Sequence, residues 1–303
     1  MEPRPAQPHP SPLAQVSRSW DGFFINLDRS PERRRRIEQQ LSTLGIADCY
    51  KRFQAVDGRQ IAASSPCSRG EVGLYRSHLD ILESSAASGR AVHIMEDDVI
   101  LCDLTVPAID GAVRKRVIDK FDILFLETYV APTLESMRAF HARYEKKTAN
   151  QTIVIGSPEQ LQIMDLQDQY LFGTTSYLVG AKRISRVLSV LRRAWRLGPA
   201  LPLDLVIQHA VRARELRVGC FFPFVSTIDL ELSQASTTKR GESADGALVR
   251  QILRYSFFVR RDLRGHAAPA LARALERRHR PDPDGAVDLY LNVLRYYLSK
   301  PVE

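Results

Sequence analysis

From Trp20 onward, short apolar runs alternate with stretches whose apolar residues recur every three or four positions. Strand-length runs lie at 21–28 (ending GFFINLD), near 51–56, at 91–97 (AVHIMED), at 121–127 (FDILFLE), at 171–179 and at 216–221. Helical spacing predicts helices over 31–44, 70–87, 105–119, 181–195 and 203–214. Strands that alternate with amphipathic helices bury both sheet faces, so the predicted class is α/β, with a mostly parallel sheet flanked by helices. Segment 128–170 is polar and weakly periodic. A loop of that length inside a compact domain implies a lid or recognition surface, and we assign it to acceptor contacts. After a polar, turn-rich stretch at 222–245, segments 246–277 and 284–298 return to helical spacing.

Residues 1–19 carry five prolines, which leave neither a helix nor a strand ladder intact, and they read as a disordered leader. The expected organisation is leader 1–19, a catalytic-sized domain at 20–240, and a helical C-terminal extension at 241–303. Apolar residues make up 44% of the 303, enough for a core without disulfides. Cys49, Cys67, Cys102 and Cys220 are widely spaced, and a reducing compartment is the natural reading. There is no run of roughly 18 apolar residues and no apolar signal stretch near residue 1, so neither a span nor a secretion signal is expected. The formal charge of +8 favours anionic partners without choosing among nucleic acid, an anionic leaflet and a phosphorylated substrate.

Glu96, Asp97 and Asp98 directly follow the apolar run Val92–Met95. Carboxylates at the end of a central strand need a counter-charge, and a divalent cation supplies one. Ligands of open α/β sheets collect outside the carboxyl ends of strands, and hard oxygen donors suit Mg²⁺ or Mn²⁺. Alternation puts Glu96 and Asp98 on one side and Asp97 on the other, which makes Asp98 the first metal-ligand candidate and Glu96 the second. A solvated acidic turn is the competing reading.

In FFINLDRSPERRRR (23–36) a strand passes into a helix with Ser30 as N-cap, Pro31 at N1 and Glu32 in the first turn. A helix N-terminus binds anions, so Arg29 and Arg33 are candidates for a diphosphate, and Asn26 and Asp28 for a base or ribose. Arg34, Arg35 and Arg36 read as a solvated face. In GEVGLYRSHLDILE (70–83), Val72, Tyr75, Leu79 and Leu82 form the expected buried stripe. Ser77 and His78 are placed near substrate or metal, with a hydrogen-bonded structural pair, Glu71 with His78, as the alternative. In LPLDLVIQH (201–209), Asp204 is either a base among apolar neighbours or simply a helix cap.

Six blocks in order, FFINLDRSPERR, RFQAVDG, GEVGLYRSHLDILE, VHIMEDDVIL, GTTSYLVGAKRISRVL and LPLDLVIQH, resemble glycosyltransferase family 25, whose members include lipooligosaccharide and collagen galactosyltransferases. The resemblance covers roughly residues 21–236. It implies a GT-A-like (Rossmann-like) fold and a UDP-sugar donor, with galactose favoured. It also implies Mn²⁺ (or Mg²⁺) at an acidic motif falling on Glu96–Asp98, with Asp97 in the donor site, and inversion at the anomeric carbon. The family's strand motif falls on Asn26–Arg33 and its PxD motif on Pro202–Asp204, with Asp204 as catalytic base. Thr175 stands where members often carry His. A glycan or lipid-linked acceptor, and a cytoplasmic, peripheral location on an anionic membrane surface through the basic stretch 246–264, are expected on the same ground. A phosphate-transferring enzyme such as a nucleotidyltransferase, and a basic nucleic-acid-binding protein, are the rivals. The second lacks any recognisable recognition module, and no nucleic-acid partner is expected.

Overall fold

The computed structural model describes residues 18–61, 65–129, 158, 161–170, 173–229, 232, 254 and 257–259. All but two residues of the proposed leader, and most of the proposed C-terminal extension, lie outside them.

Three strands, β1 (Trp20–Asn26), β2 (Tyr50–Gln54) and β3 (Ala91–Glu96), run parallel, with β1 in the middle. β7 (Ser176–Val179) is antiparallel to both β3 and β5 (Ile123–Phe125). β8 (Val218–Phe222) is parallel to β5, and β6 (Gln162–Asp165) closes the far edge antiparallel to β8. The result is a seven-stranded, mostly parallel mixed sheet of order β2-β1-β3-β7-β5-β8-β6. β4 (Val99–Leu101) and β9 (Ser226–Ile228) form a small antiparallel pair beside it.

The flanking helices are α1 (Pro31–Thr43), α2 (Arg69–Ser85), α3 (Thr105–Arg114), α4 (Ile184–Arg196) and α5 (Leu203–Arg212). α1 buries only Ile37 and Leu41, because its other positions are polar, and Gln40 adds two hydrogen bonds to the backbone of β4. α2 buries Val72, Tyr75, Leu79 and Leu82, the expected stripe. Its start is fixed by a capping box: the Ser68 hydroxyl accepts from the Glu71 N–H, and the Glu71 carboxylate accepts from the Ser68 N–H. Glu71 is therefore spent on its own helix end rather than on His78. Behind α2 the backbone approaches very closely: a Cβ on Gly73 would lie 2.4 Å from the Val56 carbonyl, and one on Gly58 only 1.7 Å from the Arg69 carbonyl. Only glycine permits the β2–α2 connection to lie against the helix there.

Several expected boundaries move for identifiable reasons. The helix expected over 105–119 ends at Arg114, because Arg116 adopts a left-handed φ of 56° before a 3₁₀ turn at Val117–Lys120. The strand expected over 171–179 begins at Ser176, after Gly173 at φ 117°. Segment 128–170, assigned to a recognition loop, contains β6. That strand escaped notice because only Met164 of its four residues is buried, so an edge strand leaves almost no alternation to read. β9 likewise emerges from the stretch taken as turns. None of the four cysteines is in a disulfide. Among the described residues no helix is long and apolar enough to cross a membrane.

Candidate functional site

Five strands share one direction, so the carboxyl ends of β1, β2, β3 and β5 open on a single edge of the sheet. β7 runs the other way and contributes the residues that precede it. That edge gathers Asn26 and Asp28 after β1, Gln54 at the end of β2, Glu96–Asp98 after β3, Glu127 after β5 and Thr174–Thr175 before β7.

The acidic run divides its labour because the chain turns between β3 and β4. Asp97 faces β1: its carboxylate accepts from Asn26 Nδ2 at 2.7 Å and from Arg33 Nη1 at 2.9 Å. Glu96 faces β7, where the Thr174 hydroxyl donates to Oε1 at 3.2 Å and the Glu96 N–H donates to the Thr175 carbonyl at 2.8 Å. Asp98 lies with Oδ2 at 3.6 Å from Arg33 Nη1, while its buried Oδ1 has no hydrogen-bond partner among the described residues. Burial first, then the charges of Asp98 and Asp97, push the Glu96 carboxyl up to about 8, and Asp204 adds to the same push. Burial also pushes Asp98 up to about 6, Asp97 and Asp229 adding to it while Arg33 and Arg254 oppose.

Asn26 is fully oriented. Its amide donates to Asp97 and to the Ser30 carbonyl at 3.1 Å, and its oxygen accepts from Arg52 Nε at 3.1 Å. Arg33 is pinned from a third direction, Nη2 donating to the Leu232 carbonyl at 2.8 Å. Ser30 stands at the N-cap of α1 but its side chain makes no cap bond, and Pro31 begins the helix as expected. Arg34, Arg35 and Arg36 pair with Glu38 and Glu32 along the exposed helix face. Asp28 is exposed and accepts from Arg52 and from Gln54 Nε2 at 2.5 Å. Arg29 pairs with Asp57, which also caps the following 3₁₀ turn, so its charge is engaged by the β2–α2 connection.

Two candidates are spent inside the fold. Ser77 is wholly buried: its hydroxyl donates to the Gly73 carbonyl and accepts from the Val56 N–H at 2.8 Å, tying the connection to α2. His78 is equally buried, shares a 2.8 Å hydrogen bond between Nδ1 and the Tyr177 hydroxyl, and stacks on that ring. Burial lowers its pKa to about 3, which keeps the imidazole neutral. Neither side chain meets solvent in this conformation, because α2 packs this face against the sheet. Asp204 is half-buried at the second position of α5, with Pro202 occupying the N-cap, so it is not the helix cap. Its Oδ1 accepts from the Leu205 N–H at 2.9 Å.

Four contributors went unnamed in the sequence: Arg52, Thr174, Glu127 and Arg254. Glu127 closes an apolar run two residues past β5, much as Glu96 closes β3, and the strand-end reasoning extends to it. Arg52 and Thr174 lie inside blocks singled out above, without a chemical reason to choose them. Arg254 belonged to the basic stretch expected on a membrane surface, yet it is buried with its Nε 3.0 Å from Glu127 Oε2, so its charge faces inward. The remaining arginines of that stretch lie outside the described residues.

A cation fits this edge in part. Among the described residues no three His, Cys, Asp or Glu side chains converge as a complete metal cage. Mg²⁺ and Mn²⁺, however, commonly take one or two carboxylates together with substrate phosphates. Asp98, with an unpartnered oxygen, and Glu96, crowded by like charge, are that incomplete set.

A family model described as "Glycosyltransferase family 25 (LPS biosynthesis protein)" matches residues 21–207, from β1 to the middle of α5. A relative named "Glycosyltransferase 25 family member" from Aedes aegypti is 31% identical over 97 residues, covering 25% of this chain and 16% of the relative. The chain thus matches only a small part of that relative's length.

Proposed function

This chain belongs to glycosyltransferase family 25, and we propose that it is a GT-A-like hexosyltransferase moving a sugar, galactose by preference, from UDP to a hydroxyl of a glycan or lipid-linked acceptor. The observation that carries this reading is the acidic strand end. Three carboxylates meet at the ligand edge of the sheet, one held rigid by Asn26 and Arg33 and one with a buried oxygen that has no partner among the described residues. A fourth, Asp204, is close enough to raise the Glu96 pKa.

In this proposal Glu96 and Asp98 are the residues that would hold a Mn²⁺ or Mg²⁺ beside the donor diphosphate. When bound, such an ion neutralises the charge that grows on the departing UDP. Arg33, fixed by Asp97 and Leu232, adds a preorganised positive charge from the α1 side. Asn26 and Asp28 present polar atoms for the nucleoside. Asp97 serves by orienting Asn26 and Arg33. Asp204 receives the proton of the acceptor hydroxyl on its carboxylate as that oxygen attacks the anomeric carbon from the face opposite UDP, which inverts the centre. The family model's description in terms of LPS biosynthesis favours a glycan or lipid-linked acceptor in this proposal.

The test is a UDP-release screen over nucleotide sugars, with and without Mn²⁺, comparing the intact protein with Asp98→Asn and Asp204→Asn. The expected pattern is loss of metal-assisted UDP uptake in the first variant, and retained uptake with turnover down by about a hundredfold or more in the second. Unaltered turnover in both would remove the role assignments. Stabilisation by a duplex oligonucleotide instead of UDP would favour a nucleic-acid binder.

A further inference from the structure

Arg254 lies past the stretch matched by the family model, yet its side chain reaches the floor of the site. The segment that carries it is docked through buried Phe257 and Phe258 and through backbone bonds: the Phe224 N–H donates to the Phe257 carbonyl at 2.7 Å, and the Val259 N–H to the Phe224 carbonyl at 2.9 Å. Arg254 itself is 7% exposed and its ion-pair partner Glu127 1%. A guanidinium so deeply placed is expensive unless what it holds matters to the fold or to the site.

Its surroundings point to the site. Gly173 packs against the guanidinium in a conformation that side chains avoid, φ 117°, and a Cβ there would stand 3.0 Å from Arg254 Nη2. The next residue, Thr174, donates its hydroxyl to Glu96, and Thr175 accepts the Glu96 N–H. Arg254 therefore contacts, through Glu127 and Gly173, the strand entry that fixes Glu96.

We propose that Arg254 is a positioning residue of the donor site, holding Glu127 and the Gly173–Thr175 entry to β7 so that Glu96 stands ready for a nucleoside diphosphate and its cation. The inference rests on the glycosyltransferase reading. It makes a segment outside the matched region part of the catalytic unit.

A simple counter-ion for Glu127 would predict otherwise, and three variants separate the two: Arg254→Lys, Arg254→Met and the neutral pair Arg254→Met/Glu127→Gln. Melting temperature, UDP affinity by calorimetry with Mn²⁺, and donor KM and kcat are measured on each in the full-length chain. Arg254→Met should be destabilised, and the neutral pair should recover melting. UDP affinity in the neutral pair and in Arg254→Lys should stay about tenfold or more below the intact protein, with donor KM rising in step, since losing a residue that orients a cation's ligands from behind has that scale of effect. A neutral pair that binds UDP and turns over like the intact protein would show Arg254 to be a counter-ion only, as would an Arg254→Lys chain with unchanged affinity. If the intact protein takes up no UDP with Mn²⁺, the glycosyltransferase reading itself fails and carries this one with it.

Discussion

Asp98→Asn should make the metal-free protein more stable at pH 8 while depriving it of nucleotide-dependent stabilisation. A carboxyl that titrates near 3.9 in an unfolded chain and at about 6 in the fold opposes folding by roughly 3 kcal/mol once ionised. The cost is absent below the unfolded value, grows as pH rises from 4 through 6, and is complete above that. The groups responsible are named: burial and Asp97, with Asp229, raise the value, and Arg33 and Arg254 already restrain it. The 3.6 Å attraction of Arg33 is already contained in that shift, so the amide forfeits only the carboxyl's hydrogen-bonding fit to its surroundings, about 1 kcal/mol. A net stabilisation of about 1–3 kcal/mol corresponds to a melting temperature higher by roughly 2–10 °C for a domain of this size. Scanning fluorimetry in EDTA at pH 4 and pH 8 measures it, and repeating the pH 8 scan with UDP and Mn²⁺ shows whether the intact protein gains stability that the variant does not. A variant destabilised equally at both pH values would refute the reasoning, because Asp98 would then be a structural partner of Arg33 and not a carboxylate kept under electrostatic load for a ligand.

Asp97→Asn should go the other way, losing about 2 kcal/mol in urea titrations, since one of two charge-assisted bonds at 2.7 and 2.9 Å must break. His78, and His93 buried on β3 between the Tyr50 and Ser176 hydroxyls, are both neutral with pKa lowered by burial to about 3, so each contributes stability that is complete above pH 6.5 and is lost as pH falls towards 3. His78→Phe, which keeps a ring against Tyr177, should accordingly reduce the loss between pH 7 and pH 5 by about 2 kcal/mol relative to the intact protein; an unchanged pH dependence would exclude that account. Gly73→Ala drives a methyl to 2.4 Å from the Val56 carbonyl and should cost about 3 kcal/mol in chemical denaturation, a near-neutral result showing that the β2–α2 connection can move aside.

Much of the frame was readable because period and punctuation agree. Pro31 at the start of α1, the stripe Val72–Tyr75–Leu79–Leu82 and the unbroken apolar runs of β1 and β3 each state one local preference that packing has no reason to overrule. Where periodicity is weak the reading failed. β6 buries one residue in four, and the helix after Thr105 stops at a left-handed arginine that no propensity announces. Ser77 and His78 show a different failure: polar residues beside an apolar stripe look available for chemistry until the sheet covers them. Asp204 is the converse, a residue that resembles a cap and turns out to sit at the second position of the helix, with Pro202 in the capping place.

By itself the amino-acid order determined the α/β class, the strand–helix boundaries that prolines and glycines mark, and the presence of three carboxylates at a strand end, all of which depend on neighbours a few residues apart. Only the tertiary structure decided which carboxylate is bound by Asn26 and Arg33 and which is left with a free oxygen, that Arg52 and Thr174 serve the same edge, and that Arg254 enters it from far along the chain. Those outcomes turn on desolvation and on charges brought within a few ångströms by strand order, and neither quantity exists until the sheet has closed around them.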